Sequence, residues 1–113
     1  MNKTDLRMAS LDGANLTNTK VRQANLTGAD MKYANLNGAF FNEADLTGVD
    51  LNGTDLTRAN LYKANLSEAN LIHVNFSETN LKEADLSNVK LNKARVKEEN
   101  WLQKLNEWKI KGA

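Results

Sequence analysis

The chain of 113 residues has 15 basic and 14 acidic residues, a net charge of +1 and no cysteine. This balance gives no global field that would attract nucleic acid or an anionic membrane, or that would mimic DNA, so we expect neither as a partner. Without cysteine, neither a disulfide framework nor thiolate chemistry is available. The first ten residues hold no apolar signal region, and no apolar run approaches the ~20 residues of a membrane span, so we expect a cytoplasmic protein.

From Thr4 to Lys97 the sequence repeats every five residues. Starting at Leu6, every fifth residue is apolar through nineteen consecutive units, and we call this the central position. The small position, two residues earlier, holds only Ala, Val or Thr, and the polar position between them holds mostly Asp or Asn. Two variable residues, the first and second corner positions, complete each unit.

The unit predicts a very short extended segment followed by a corner. Small and central residues point inward and the polar residue outward, which is the alternation of a strand, while the corners are rich in turn-forming residues. A unit this short cannot bury its own leucine, so successive coils must stack into a solenoid with a packed, dry lumen. Short polar side chains at the polar position are expected to bond nearby backbone groups at the corners, or to form ladders between coils.

The stretch "ANLYKANLSEANL" (Ala59 to Leu71) shows the signature A(D/N)LXX, and the chain resembles the pentapeptide-repeat proteins over about Thr4 to Lys97. The resemblance implies an all-β solenoid, a right-handed quadrilateral β-helix with four units per coil. Nineteen units then give nearly five coils, and residues twenty apart stack on one another. We divide the chain into a β-helix over residues 1–97 and a short C-terminal α-helix over residues 98–113.

Both ends of the solenoid need a cover. The C-terminal stretch "NWLQKLNEWKIKGA" predicts a helix with one apolar stripe. The stripe and its shoulder consist of Trp101, Leu102, Leu105 and Trp108. This helix is interpreted as a lid on the last coil or as a homodimer contact, since the resemblance implies dimerisation through C-terminal elements. The N-terminal coil has almost nothing before it, so we expect it to fray or to be buried against a second copy or a partner.

Nothing in the sequence predicts an enzyme, a cofactor or a metal site. His73 is the sole histidine and stands at a corner position, so neither a catalytic triad nor a zinc site can be assembled from it. Two outward groups are candidates for partner contact. The first is Phe40, at a polar position, with Tyr62 one coil later on the same side; the second is Tyr33, Ile72 and His73 on another side. Single exposed apolar residues are also common without any function.

The function that fits these features is a non-enzymatic scaffold that binds an unknown protein partner. An alternative comes from the resemblance, because some quinolone-resistance and toxin-immunity members mimic DNA and bind DNA gyrase. That mechanism needs a strongly acidic surface, whereas Thr4 to Lys97 contains 11 acidic and 11 basic residues. A third possibility, ice or mineral binding, would use the hydroxyl row Thr27, Thr47, Ser67 and Ser87, but the adjacent Asp and Asn column disfavours it.

Overall fold

A computed structural model of the chain describes residues 3–90. Within this part there is no helix, and no strand extends beyond one bridge residue. Instead, each polar position forms a parallel bridge to the residue twenty positions later, from Asp5–Asn25 through to Asn70–Lys90. Every unit therefore stacks on the fourth unit after it, and the predicted register of four units per coil is confirmed over these residues.

The register sorts the units into four sides, which we name after one member each. The central residues of the Thr27 side are Leu6, Leu26, Leu46, Leu66 and Leu86. Those of the Tyr33 side are Leu11, Met31, Leu51 and Leu71. Those of the Arg58 side are Leu16, Leu36, Leu56 and Phe76. Those of the Phe40 side are Val21, Phe41, Leu61 and Leu81.

Backbone hydrogen bonds between coils explain why five residues suffice for a unit. In the unit centred on Leu26, the Leu26 N–H donates to the Asp45 carbonyl of the next coil (2.8 Å), and the Gly28 N–H donates to the Thr47 carbonyl (3.0 Å). The N–H of the polar residue points the other way, as in Asp45 to Ala24 (2.9 Å). Each coil is thus paired with the coils on either side, as strands are in a parallel sheet.

The corner is a β-turn that redirects the chain from one side of the square coil to the next. Its closing bond runs from the N–H of the small residue to the carbonyl of the preceding central residue, as in Ala29 to Leu26 (2.9 Å). The second corner position has positive φ throughout the described units, in thirteen non-glycine residues and five glycines, as the third residue of a type II turn requires. Large residues are accepted there as well as glycine, since Tyr33 and His73 adopt the same left-handed backbone at φ of 59° and 61°.

One N–H in each unit has no backbone partner, and the polar side chain supplies its acceptor. In all fourteen described units with Asp or Asn at the polar position, the Oδ1 atom accepts the N–H of the first corner residue at 2.9–3.1 Å. The corner role predicted for this column is therefore confirmed. Ladders are rarer: Asn70 reaches Asp50 at 3.3 Å and Asn80 reaches Asn60 at 3.4 Å.

The lumen is filled as the pattern predicts. Central residues from Val21 to Leu86 are at most 2% exposed, and so are the small residues beside them from Ala24 to Ala84. Two buried threonines occupy small positions without an unpaired hydroxyl, because Thr54 donates to the Leu51 carbonyl (2.8 Å) and Thr79 to the Leu56 carbonyl (2.7 Å).

Large side chains at the second corner position lean onto the glycine of the next coil. Met8 lies against Gly28 and Asn18 against Gly38, where an added Cβ would meet their side chains. The same holds for Tyr33 and Gly53: a Cβ on Gly53 would lie 2.6 Å from the Tyr33 ring. Glycine at these corners thus serves both the left-handed backbone and the side chain that covers it.

Of the two ends of the solenoid, the structure describes the N-terminal one, from residue 3 onwards. In the first coil, Leu6, Leu11 and Leu16 are only partly buried, so the lumen is less covered there than in the middle of the stack. Burial of this end against a second copy or a partner stays a prediction. The predicted C-terminal helix, with Trp101, Leu102, Leu105 and Trp108, lies outside the described residues, and so do the domain boundary at residue 97 and the last of the predicted coils.

Removal of a leucine from the middle of the lumen should cost much more stability than removal from the first coil. We expect Leu51→Ala to lower the free energy of unfolding by about 2–5 kcal/mol, because Leu51 is 1% exposed and its cavity is closed by coils on both sides. Leu6→Ala is the matched control and should cost less than half as much. Urea denaturation of both variants measures this, and equal losses would contradict the burial gradient along the stack.

Alanine at two glycines separates backbone strain from side-chain packing. Gly48 and Gly53 have similar φ (67° and 72°), but only Gly53 is covered, by the Tyr33 ring. We expect Gly48→Ala to cost about 1–2 kcal/mol through left-handed strain, and Gly53→Ala to cost more. In a Tyr33→Ala background the two costs should become equal; a difference that persists there would show that Tyr33 does not lie on Gly53.

Candidate partner-binding face

Four described polar positions hold a residue other than Asp or Asn, namely Ser10, Lys20, Lys90 and Phe40, and of these Phe40 alone is apolar. Its backbone keeps the repeat geometry, since Phe40 bridges Lys20 and Asn60 and its N–H donates to the Thr19 carbonyl at 2.8 Å. The side chain is half-buried on the outside of the coil. The backbone therefore accepts a phenyl ring at this position, but the ring offers no oxygen to the corner that follows.

The corner after Phe40 is left without its usual partners. The Asn42 N–H lacks the side-chain acceptor that Asp or Asn supplies in fourteen other described units. In the same corner, the Asn42 Oδ1 atom is buried without a hydrogen-bond partner among residues 3–90. A buried polar group that is not paired costs about 1–3 kcal/mol. The unit centred on Phe41 is thus a place where the chain departs from its own stabilising pattern.

Two cations cover the aromatic rings of this side. The Arg22 guanidinium carbon lies 5.3 Å from the centroid of the Phe40 ring, and the Lys63 ammonium lies 5.4 Å from that of Tyr62. The Tyr62 hydroxyl donates to a Glu83 carboxylate oxygen at 3.4 Å, a long hydrogen bond. We call Arg22, Phe40, Asn42, Tyr62 and Lys63 the Phe40 face. The predicted neighbours Phe40 and Tyr62 do lie on one side, but each ring is paired with a cation, and no ring-ring contact between them is described.

The second predicted group is more dispersed. Tyr33 is 65% exposed and covers Gly53, while Ile72 and His73 lie two coils after Tyr33. Ile72 is half-buried and its carbonyl accepts the Gly53 N–H at 2.9 Å, whereas the His73 side chain is exposed. These three residues share a side as predicted, but the Tyr33 ring is directed onto Gly53.

Carboxylates surround the Lys32 ammonium on the Tyr33 side. Asp30 accepts the Lys32 N–H at 3.1 Å and pairs with the Lys32 ammonium at 3.3 Å. The backbone hydrogen bond from Lys32 lowers the pKa of Asp30 more than any other cause, and the Lys32 side chain lowers it further, while burial opposes both. The pKa of Lys32 is raised, chiefly by its hydrogen bond to Asp30 and also by the charges of Asp50 and Asp12. The Lys32 cation of this side is therefore already matched by carboxylates.

Residues 3–90 contain no group of three or more His, Cys, Asp or Glu side chains that could hold a metal ion. In the same part of the chain, no helix has the length and apolar character needed to cross a membrane. The surface features that stand out from the repeat are therefore aromatic and cationic side chains rather than a cluster of ligating or nucleophilic groups. Such a surface can bind another molecule.

The comparisons with known proteins agree with the repeat register. The family model for pentapeptide repeats matches in eight copies, over residues 1–28, 9–48, 24–61 and 59–97. A search of curated protein sequences found no match.

Three solved structures illustrate the likeness. HetL from Nostoc sp. strain PCC 7120, a protein involved in heterocyst differentiation regulation, is 28% identical, with a TM-score of 0.65; the match covers 81% of this chain and 53% of HetL. The pentapeptide repeat protein alr5209 from Nostoc PCC 7120 is 30% identical, with a TM-score of 0.60, over 96% of this chain and 84% of the other. QnrB1, a plasmid-mediated fluoroquinolone resistance protein, is 14% identical, with a TM-score of 0.56, over 95% and 66%.

The QnrB1 likeness concerns the fold alone, and the chain spans about half the length of HetL. The family match extends over most of the chain and coincides with the coil register found in the structure. Pentapeptide repeat proteins form right-handed quadrilateral β-helices and are generally structural or interaction proteins without enzymatic activity. This chain belongs to the pentapeptide repeat family.

Proposed function

We propose that this protein is a non-enzymatic interaction scaffold that binds a protein partner through the Phe40 face. The observation that carries the proposal is Phe40 itself, an aromatic residue at a position where fourteen other described units use Asp or Asn to complete the corner. The fold gains no lumen packing from a side chain on the outside of the coil. A contact outside the chain supplies a reason for it.

The composition of the face supports the same function. Aromatic residues and arginine are enriched at the centres of protein interfaces, where a few residues carry most of the binding energy. Arg22 holds the Phe40 ring from one side, so both side chains lose little further freedom when a partner binds. The Tyr33 side offers an aromatic ring too, but that ring already packs on Gly53.

The charge distribution favours this scaffold over the DNA-mimic alternative. Residues 3–90 have 11 acidic and 9 basic residues, and the one strongly acidic side, the Thr27 side, has four carboxylates over five units, of which Asp5 is already paired with Arg7, so it is not a densely acidic surface. A DNA mimic has to present such a surface to gyrase. In a gyrase supercoiling assay with a quinolone, we expect no protection by this protein, and clear protection would reverse the ranking of the two functions.

The substitution Phe40→Asn separates binding from folding, because it restores the residue that the repeat prefers. An asparagine there can accept the Asn42 N–H, a gain of roughly 0.5–1.5 kcal/mol, against the loss of a cation–π contact of roughly 0.5–1 kcal/mol. We therefore expect the stability of the variant to stay within about 1 kcal/mol of the parent. Binding of the partner should nevertheless be lost.

Affinity capture from cells of the source organism, quantified by mass spectrometry, measures the loss. The matched control is Tyr33→Asn, which removes the aromatic ring of the other candidate group. We expect the captured partner to fall at least tenfold with Phe40→Asn and to change less than twofold with Tyr33→Asn. The opposite pattern would place the contact on the Tyr33 side, and unfolding of Phe40→Asn would give Phe40 a structural role instead.

A further inference from the structure

We propose that the partner presents an acidic, extended protein segment to the Phe40 side, with carboxylates that pair with Arg22, Lys63 and Lys82. This inference rests on the proposed function and adds the chemistry of the partner to it. Its basis is the distribution of charge among the four sides of the solenoid, together with what the cations of each side already contact.

Charge is segregated by side although the described chain is close to neutral. The Phe40 side has five cations, Lys3, Lys20, Arg22, Lys63 and Lys82, and two carboxylates, Glu43 and Glu83. The adjacent Thr27 side has the reverse, four carboxylates at Asp5, Asp45, Glu68 and Asp85 and one cation, Arg7. All seven charged side chains of the Phe40 side are exposed. An anion that approaches the solenoid is therefore attracted to one side in particular.

Three of the four described cations on the other sides, Arg7, Lys32 and Arg58, are ion-paired within the chain, and the fourth is Lys90. The described ion pairs are Asp5–Arg7, Asp30–Lys32 and Arg58–Glu78, at 2.8, 3.3 and 3.4 Å, and none of them lies on the Phe40 side. Arg22 and Lys63 contact aromatic rings instead. A guanidinium that packs against a ring keeps N–H groups that can bind a carboxylate in bidentate fashion. The partner can therefore supply carboxylates to Arg22, Lys63 and Lys82, for which no ion pair is described within residues 3–90.

The spacing of the column fits an extended segment that runs along the solenoid axis. The first corner positions of this side are Arg22, Asn42, Tyr62 and Lys82, one in each of four successive coils. With coils about 4.8 Å apart, Arg22 and Lys82 are separated by about 14 Å, the length of four to five residues of an extended chain. Two carboxylates at that separation, with an apolar side chain between them for Tyr62, would match the column.

A nucleic acid fits the same face less well. Single strands bind proteins by stacking bases on open aromatic rings, whereas Phe40 and Tyr62 each have a cation over the ring.

The test uses the full chain labelled with ¹⁵N and three defined probes: a dodecamer of glutamate, a dodecamer of thymidylate, and vesicles that contain phosphatidylserine. At low salt, we expect the glutamate peptide to shift amide signals of the units centred on Val21, Phe41, Leu61 and Leu81. In the double variant Arg22→Gln/Lys63→Gln its apparent affinity should fall at least tenfold. The matched control Arg7→Gln/Arg58→Gln should stay within twofold, since it removes two cations from other sides.

Several results would overturn the inference: no localised shift with the peptide, an equal loss with Arg7→Gln/Arg58→Gln, or tighter binding of thymidylate or of the vesicles than of glutamate. The capture assay then separates this inference from the proposed function. Loss of the partner with Phe40→Asn but not with Arg22→Gln/Lys63→Gln would leave the scaffold and its face in place and refute an acidic partner. Retention of the partner by both variants would refute both proposals.

Discussion

Hydrogen bonding between coils in a twenty-residue register is the constraint on which the rest of this structure depends. It pairs the N–H of the central, polar and second corner residues with neighbouring coils, as in Leu26, Asp45 and Gly28, while the turn uses the N–H of the small residue. One N–H per unit is left for a side chain, which is why Asp and Asn recur at the polar position. The lumen then needs only a small and a large apolar residue per unit. The residues that serve function therefore have to occupy the polar and corner positions.

Within this constraint, a departure at the polar position is more informative than an exposed residue at a corner. The backbone leaves the corner side chains free to vary, so Tyr33 or His73 there requires no explanation beyond tolerance of a left-handed residue. The unit with Phe40 gives up a hydrogen bond to the Asn42 N–H, and in the same corner the Asn42 Oδ1 is buried without a partner among residues 3–90. Charge, likewise, has to be counted separately for each side of the solenoid. A chain with a net charge of +1 carries a cationic side next to an acidic one, which no sum over the whole sequence reveals.

The sequence predicted those features that depend only on which way a side chain points. The lumen, the four-unit coil and the corner role of Asp and Asn all follow from the period of five and the resemblance that it carries. Three features could not be predicted from the sequence: the position of Arg22 over Phe40, the position of Tyr33 on Gly53, and the Asn42 oxygen without a partner in the described part of the chain. All three depend on side-chain conformations between coils. The cationic character of the Phe40 side could have been predicted from the sequence, since sorting the charges by twenty-residue columns reveals it. The contacts assigned to Trp101 and Trp108 stay predictions, outside the described residues.

The register can be tested most directly by disulfide cross-linking, because the chain has no cysteine of its own. Thr47 and Ser67 lie in adjacent coils, where the Gly48 N–H reaches the Ser67 carbonyl at 2.9 Å. Cysteines at these two positions should oxidise readily to a disulfide, which needs Cα atoms about 4.4–6.8 Å apart. Cysteines at Thr57 and Ser67, which belong to opposite sides, should not. Efficient cross-linking of the second pair, or failure of the first in a folded protein, would contradict the square coil with its twenty-residue register.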